Sequence, residues 1–138
     1  YSTIKNEMVG ALNIPKIDGE DGFHIREELI KRLGHPGTNA YLLNLSIDTK
    51  KINEVITPNN EITSYRLIMT ATYSIRNKDG ITILPSQKSV ARTGFSSSRN
   101  STGYITQIAE ESAKKRLAVK IADQISTRLS ILSEKWVK

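Results

Sequence analysis

Few residues in this chain have the types and spacing that catalysis or metal binding requires. The two histidines, His24 and His35, do not stand at a ligand spacing from each other, and each fits a surface role. The carboxylate pairs at 27–28 and 110–111 are adjacent, and adjacent helical residues point in different directions. With no cysteine, the chain has no disulfide and no thiolate nucleophile or ligand. We therefore expect no enzyme, no metal site and no cofactor.

The basic residues offer a different chemistry, which is the binding of an anion. The chain carries 20 Lys and Arg against 14 Asp and Glu, a net charge of +6, and its pI is near 9.6. Such a balance favours a nucleic acid, an anionic lipid or an acidic protein surface as partner. The alternative is a soluble domain that happens to be basic.

The chain length limits the number of domains that can position these residues. A chain of 138 residues fits one domain, residues 1–138, with one hydrophobic core. No apolar run approaches the ~18 residues that a membrane span needs. The chain begins at Tyr1 and shows no signal-peptide pattern, so we expect a processed N-terminus whose targeting segment lies outside this sequence.

The first third of the chain predicts a strand and a helix. A strand is expected near Met8–Ile14, where apolar residues share one parity. A helix is expected over Asp21–Leu33, with Asp21 as its N-cap and an apolar stripe every three to four residues. Gly34 and Pro36 predict its end, with Gly34 in the left-handed cap conformation.

Three strands are predicted next, and the second has the clearest pattern in the chain. We expect strands at Ala40–Ile52, Glu61–Arg76 and Ile81–Phe95. The second alternates apolar with polar side chains throughout, which is typical of a sheet with one buried and one open face. The turn at 77–80 ends in Asp-Gly, a hairpin signal. Pro85 predicts a bulge or an edge position.

A long helix over Tyr104–Leu132 completes the pattern. Its apolar stripe comprises Ile105, Ile108, Ala109, Ala113, Leu117, Ile121, Ile125, Leu129 and Leu132. The expected fold class is α+β in the order β-α-β-β-β-α. It is a four-stranded mixed sheet with two helices packed on one face, an elongated two-layer sandwich whose other sheet face is open.

This topology gathers basic residues at one end of the sheet. The loops at 52–60 and 95–103 fall at the same end because neighbouring strands alternate in direction. We expect five cations from separate segments to converge there on an anionic group such as a phosphate: Lys50, Lys51, Arg66, Arg92 and Arg99. The Ser/Thr/Asn-rich stretch at 93–102 is expected to be a loop at this end. Scattered solubilising charges remain the alternative reading.

Strand tyrosines raise a nucleic-acid alternative, because aromatic rings on a basic sheet can stack on bases. Tyr41, Tyr65 and Tyr73 share the apolar parity of their strands, which the helices must cover. We therefore expect these rings to be buried, and we expect no nucleic-acid partner.

Several stretches in sequence order resemble one known family. They are the strand end at 13–15, the capped helix at 23–33, the strand core at 65–73 with the hairpin after it, the strand segment 89–95, and the helix segments 108–118 and 121–125. Together they resemble the LptE family, in particular its alphaproteobacterial branch. The resemblance covers about residues 8–132 and lies in the order and spacing of the stretches rather than in one motif.

The resemblance implies a non-enzymatic lipoprotein of the Gram-negative envelope, anchored on the periplasmic side of the outer membrane. Such proteins plug and help to assemble the LptD β-barrel, take part in lipopolysaccharide transport to the cell surface, and can bind lipopolysaccharide. Membrane attachment would use a lipidated cysteine, which this chain does not contain. The five basic residues above would then hold lipopolysaccharide phosphates. A basic α/β module that binds nucleic acid or another anionic polymer remains the alternative.

Overall fold

The computed structural model of the chain describes residues 10–37, 40–56, 62–98 and 103–136. They form a four-stranded sheet in the spatial order β1-β2-β3-β4, together with two long helices and one short helix. The elements are β1 (Leu12–Asn13), α1 (Glu20–Leu33), β2 (Tyr41–Ile56), β3 (Ile62–Arg76), β4 (Thr82–Ser98), α2 (Gly103–Ile131) and α3 (Ser133–Trp136).

The sheet is mixed, as predicted. β1 runs parallel to β2, and β2, β3 and β4 form an antiparallel meander. Both helices pack on one face, α1 over β2 and α2 over β3 and β4. We call this the helix face and the opposite side the open face. The predicted α+β class and its four-stranded mixed sheet are thus confirmed.

Alternation along β3 divides its side chains between the two faces. Leu67, Met69, Ala71, Tyr73 and Ile75 are buried under the helices, whereas the residues between them lie on the open face. The helices contribute Ile25, Leu29, Leu33, Ala113, Leu117, Ile121, Ile125 and Leu129 to the same core. Burial of this apolar surface is the main driving force that holds the two layers together.

The predicted ends of α1 need two corrections. Its N-cap is Gly19, which makes no side-chain capping bond; Asp21 lies inside the first turn and accepts a hydrogen bond from Thr49 Oγ1 at 2.8 Å. Gly34 does end the helix at a positive φ of 79°, but its ψ of 171° is extended rather than left-handed helical. That combination is essentially restricted to glycine, so the sequence signal was right although the cap type was wrong.

The strands differ in length from the predicted ones. β1 comprises the two described residues that pair with β2, and positions 8 and 9 of the predicted strand lie outside the described residues. β2 continues to Ile56 and β4 continues to Ser98, so that 93–98, predicted as loop, pairs with β3. Serine and threonine have modest strand propensity alone, and the ladder to β3 supplies the missing stabilisation. Pro85 lies at a register irregularity in an edge strand, which confirms both expectations for it.

The stripe of α2 is buried only from Ala113 onward. Ile105 and Ile108 are 55% and 47% exposed, contrary to the predicted continuous stripe. The first turns of α2 lack a neighbouring helix, because the start of α1 lies beside residues 115–119 of α2. None of the described helices is long and apolar enough to cross a membrane.

Candidate anion-binding face of the sheet

Three of the five predicted cations meet on the open face, and we call Lys50, Arg66 and Arg92 the cationic patch. Lys50 pairs with Ile68 across β2 and β3, and Ile68 pairs with Arg92 across β3 and β4. Lys50 and Arg92 are therefore separated by two strand spacings, roughly 10 Å between backbones. Arg66 lies in the next row and is a diagonal neighbour of both. All three side chains are exposed.

Apolar side chains lie among these cations. Ile68 is half-buried between Lys50 and Arg92, while Ile52 is 43% and Val90 37% exposed. Opposite Arg66 on β4 is Gly94, which leaves no side chain to crowd the guanidinium. Ile52, Ile68 and Val90 were not predicted as part of the site. Parity within β3 could have placed Ile68 on the face of Arg66, whereas Ile52 and Val90 required the strand register.

The open face is positive beyond the patch. Its described positions carry Lys50, Arg66, Arg76, Lys88 and Arg92 against one carboxylate, Asp48. The other positions are mainly small polar residues: Asn44, Ser46, Thr70, Thr72, Ser74 and Ser96. A polar, cationic sheet surface without a covering helix suits contact with a hydrated or anionic partner.

Lys51 does not join the patch, because it follows Lys50 and projects to the helix face. Its ammonium donates a hydrogen bond to Glu110 Oε1 at 2.8 Å and lies 5.4 Å from the centroid of the Tyr65 ring. The bond to Glu110 raises the pKa of Lys51, and the same bond lowers the pKa of Glu110. Lys51 thus ties the N-terminal half of α2 to the sheet.

The fifth predicted cation, Arg99, lies outside the described residues. The three patch members also lie farther from the strand ends than predicted, because β2 and β4 extend to Ile56 and Ser98. The site is therefore a patch on a sheet face rather than a cluster of loop residues.

The strand tyrosines lie on the helix face, as their parity predicted. Tyr73 is buried, whereas Tyr41 and Tyr65 are half-buried, so full burial is confirmed only for Tyr73. The Tyr65 ring stacks on Phe95 at a centroid distance of 4.9 Å. Its faces are thus engaged by Phe95 and the Lys51 ammonium, which leaves no platform for a nucleic-acid base.

Among the described residues, the other histidines and carboxylates do not assemble a metal-binding cluster. His24 Nε2 lies 3.6 Å from Glu20 Oε1, and its ring packs edge-on against Phe23. Within the described parts of the chain, no three histidine or carboxylate side chains come together as a metal-ligand set. The chemistry supported best is noncovalent binding of an amphipathic anion, because cations and apolar groups share one exposed surface.

The fold is that of a group of bacterial lipoproteins. A candidate lipoprotein from Caulobacter crescentus superposes with a TM-score of 0.62 at 17% identity, covering 90% of this chain and 91% of that one. A minor lipoprotein from Acinetobacter baumannii gives 0.59 at 16%, covering 92% and 95%. Rare lipoprotein B from Shewanella oneidensis gives 0.56 at 12%, covering 90% and 95%. At these identities the likeness establishes the fold alone.

The sequence establishes the family. Residues 9–129 match the model of the LptE family, described as lipopolysaccharide-assembly, and this match spans most of the chain. No curated protein matches the sequence significantly. The chain belongs to the LptE lipopolysaccharide-assembly family, as its resemblance indicated.

Proposed function

We propose that this chain is a non-enzymatic subunit of the lipopolysaccharide-assembly machinery and that it binds lipopolysaccharide directly through the cationic patch. The observation that carries the proposal is the convergence of Lys50, Arg66 and Arg92 on an uncovered sheet face beside exposed apolar side chains. Phosphate groups accept hydrogen bonds from guanidinium and ammonium groups, and arginine offers a planar fork that matches them.

The amphipathic character of the surface distinguishes this ligand from a simple polyanion. Lipopolysaccharide presents phosphates next to acyl chains, and the patch presents cations next to Ile52, Ile68 and Val90. Apolar contact adds stabilisation in proportion to the area removed from water, about 25 cal/mol per Å². Nucleic acids would use the cations but gain little from these aliphatic side chains.

The binding experiment compares two charge-matched variants. Lys50→Ala with Arg92→Ala removes two patch cations, and Lys115→Ala with Arg116→Ala removes two exposed cations on α2. Each double variant lowers the net charge equally, so a difference between them reports position. We expect the patch variant to bind purified lipopolysaccharide about two- to thirtyfold more weakly, because each lost charge contact contributes about 0.2–1 kcal/mol. Equal affinity of both variants would exclude the patch as the site.

A competition experiment distinguishes lipopolysaccharide binding from the alternative function, the general binding of anionic polymers. Heparin and single-stranded DNA, added as soluble polyanions, are expected to displace lipopolysaccharide poorly at physiological ionic strength, because they lack acyl chains for the apolar part of the patch. Complete displacement by either polymer at low concentration would favour a general anion-binding module instead.

We further propose that the domain occupies the lumen of the LptD barrel. The support is the small polar composition of the open face, which fits a water-filled lumen better than a lipid or dry protein interface. The test places a photo-crosslinking residue at Thr72, in the middle of the open face, and at Arg116, on the outer side of α2. A lumenal position predicts covalent adducts with the barrel from both sites, because a barrel surrounds its plug. Adducts from neither site would contradict it.

The same proposal places the chain in the envelope as a lipoprotein on the periplasmic side of the outer membrane. The support is the family and the lipoproteins that share the fold. Mass spectrometry of the protein purified from its native membrane is expected to find an acylated cysteine upstream of Tyr1. A protein recovered without lipid from the soluble fraction would contradict this placement.

A further inference from the structure

The outer side of β4 is a free sheet edge. β4 pairs with β3 in unbroken register from Ser98 to Gln87, and the described residues place no strand on its other side. The Lys120 ammonium donates to the Arg92 carbonyl at 3.4 Å, which shows that this carbonyl points outward. Because backbone groups alternate in an antiparallel strand, Lys88, Val90 and Gly94 also direct their N–H and C=O groups to the outside.

The opposite edge of the sheet, along β2, differs from the β4 edge in the residues that pack against it and in its charge. β1 pairs with the start of β2, and Asp21 of α1 reaches Thr49 in its middle. The hollow there has a volume of about 280 Å³ and carries the carboxylates of Asp18, Glu20, Asp21 and Asp48. Of the two edges, that of β4 is therefore the basic one.

A groove runs between the β4 edge and α2, with a volume of about 480 Å³. Its lining residues are Lys88, Ser89, Val90, Asp123, Gln124, Thr127, Arg128 and Ile131. A strand added to β4 at the normal spacing of about 4.8 Å would direct alternate side chains into this groove. The remaining side chains would lie beside Lys88 and Val90 on the open face.

The charges around the groove favour an acidic occupant. Lys88 and Arg128 line it, Lys120 lies farther along the same edge, and Arg128 Nη1 donates to Gln87 Oε1 at 3.3 Å. The carboxylate of the groove, Asp123, is already bonded to Arg32 Nε at 2.7 Å. Ile131, which is 74% exposed, supplies an apolar contact at one end.

We propose that the β4 edge and this groove bind an extended, acidic segment of another protein by strand addition. Backbone hydrogen bonds to the outward groups of Lys88, Val90 and Gly94 would provide affinity, and carboxylates facing Lys88 and Arg128 would provide selectivity. The site adjoins the proposed lipopolysaccharide site at Val90, but Lys88 and Arg128, which would select the occupant, are not members of the cationic patch.

A second copy of this chain fits the edge poorly. Antiparallel pairing of two β4 strands centred on Val90 would place Lys88 of one copy opposite Arg92 of the other. Like charges directly opposite each other destabilise a strand pair. Lysine on an exposed edge commonly opposes such self-pairing.

The test uses a capped peptide of repeating Glu-Glu-Val-Val, about as long as segment 88–96, whose adjacent glutamates face both sides of the added strand. A matched Lys-Lys-Val-Val peptide is the control. Backbone amide chemical shifts of the 138-residue chain are followed during titration with each peptide. We expect the glutamate peptide to bind and to shift amides of β4 from 88 to 94. The Lys88→Glu, Arg128→Glu double variant is expected to bind it at least about fivefold more weakly and to prefer the lysine peptide.

Val90→Pro provides a second, independent variant. The N–H of Val90 points outward and takes no part in the ladder to β3. Proline at position 90 therefore removes a donor only from the free edge, and proline is tolerated in edge strands. We expect unchanged circular dichroism and weaker peptide binding; if this variant does not fold, the charge-reversed variant decides. Absence of binding, shifts centred away from β4, or equal affinity after charge reversal would overturn the proposal. Formation of a concentration-dependent dimer whose interface covers residues 88–94 would overturn it as well.

Discussion

At the scale of single residues, two adjacent lysines in β2 have different surroundings because they lie on opposite faces of the sheet. Lys50 and Lys51 are chemically identical, but Lys50 lies on the open face with Arg66 and Arg92, whereas Lys51 is bonded to Glu110 under α2. Because side chains alternate between faces with a period of two, a single step in sequence moves a lysine from the open face to the helix face.

The pairing of Lys51 with Glu110 predicts a pH-dependent contribution to stability. Glu110→Gln is expected to lower the free energy of unfolding by about 0.5–1 kcal/mol at pH 7, a modest value because both side chains are partly exposed. The pKa of Glu110 is lowered in the folded protein, so the contribution is present above the unfolded pKa of about 4.3 and lost as the pH falls through the folded pKa. Urea unfolding at pH 7 and pH 3 measures both.

The neighbouring carboxylate is the control for this prediction. Glu111 accepts a hydrogen bond from Gln107 Nε2 at 3.3 Å instead of pairing with a lysine. Glu111→Gln is therefore expected to change stability less than Glu110→Gln at pH 7. If both variants lose the same stability at both pH values, the Lys51–Glu110 ion pair makes no specific contribution to the free energy of unfolding.

A buried glycine in α1 gives a second residue-scale prediction. A Cβ at Gly22 would lie 2.4 Å from Ile17 Cγ2 and 2.8 Å from Ile17 Cβ. Gly22→Ala is therefore expected to destabilise the protein by about 1–3 kcal/mol through overpacking, although alanine favours helices. In an Ile17→Gly background, which removes both of these atoms, the same substitution should cost clearly less in thermal or urea unfolding. Equal costs in both backgrounds would show that the contact with Ile17 is not the cause.

At the scale of elements, the sequence predicted both long helices, the three long strands and the order of all six elements. The period of two in β3 and the apolar stripes of the helices carried that information, because burial requires those spacings. Element ends were less predictable. The polar segment 93–98 lies in β4 because β3 offers it a pairing partner, which local sequence does not reveal.

The candidate site was predictable only in part for the same reason. Parity separates Lys51 from Arg66 and Arg92 only once the register between β2, β3 and β4 is known, and bulges change that register between 53 and 55 and near 85. The apolar neighbours Ile52 and Val90 become part of the site only through cross-strand pairing.

The short helix α3 was not predicted, yet it completes the core. Trp136 is fully buried, and its Nε1 donates to the Leu129 carbonyl at 3.0 Å. Trp136→Ala is expected to destabilise the fold by about 3–5 kcal/mol, and Trp136→Phe by clearly less because the ring still fills most of the space. Thermal unfolding of the two variants measures this, and a neutral Trp136→Ala would mean that α3 does not pack as described.

At the scale of the whole molecule, net positive charge is concentrated where a partner has access. The open face holds five cations and one carboxylate among its described positions, while several helix-face charges are bonded to one another, including Arg32 with Asp123 and Lys51 with Glu110. The net charge of +6 is therefore unevenly distributed over the surface, with an excess of cations on the open face.

This arrangement predicts how salt affects ligand binding. Affinity for lipopolysaccharide should fall as ionic strength rises, because exposed charges are screened over about 8 Å at physiological salt. The Lys50→Ala, Arg92→Ala variant should show a shallower dependence on salt than the unsubstituted chain in fluorescence titrations. A residual affinity that is insensitive to salt would represent the apolar part of the contact. An unchanged salt dependence in the variant would place the charge contacts elsewhere.

The most direct measurement is photo-crosslinking to lipopolysaccharide in living Gram-negative cells that carry the full protein. A crosslinking residue replaces Ile68, which lies between Lys50 and Arg92, or Val119, which is exposed on α2 away from the sheet. Binding at the cationic patch predicts a lipopolysaccharide adduct from position 68 and none from position 119. An adduct from 119 alone, or none from 68 in cells that assemble their outer membrane normally, would contradict binding at the cationic patch.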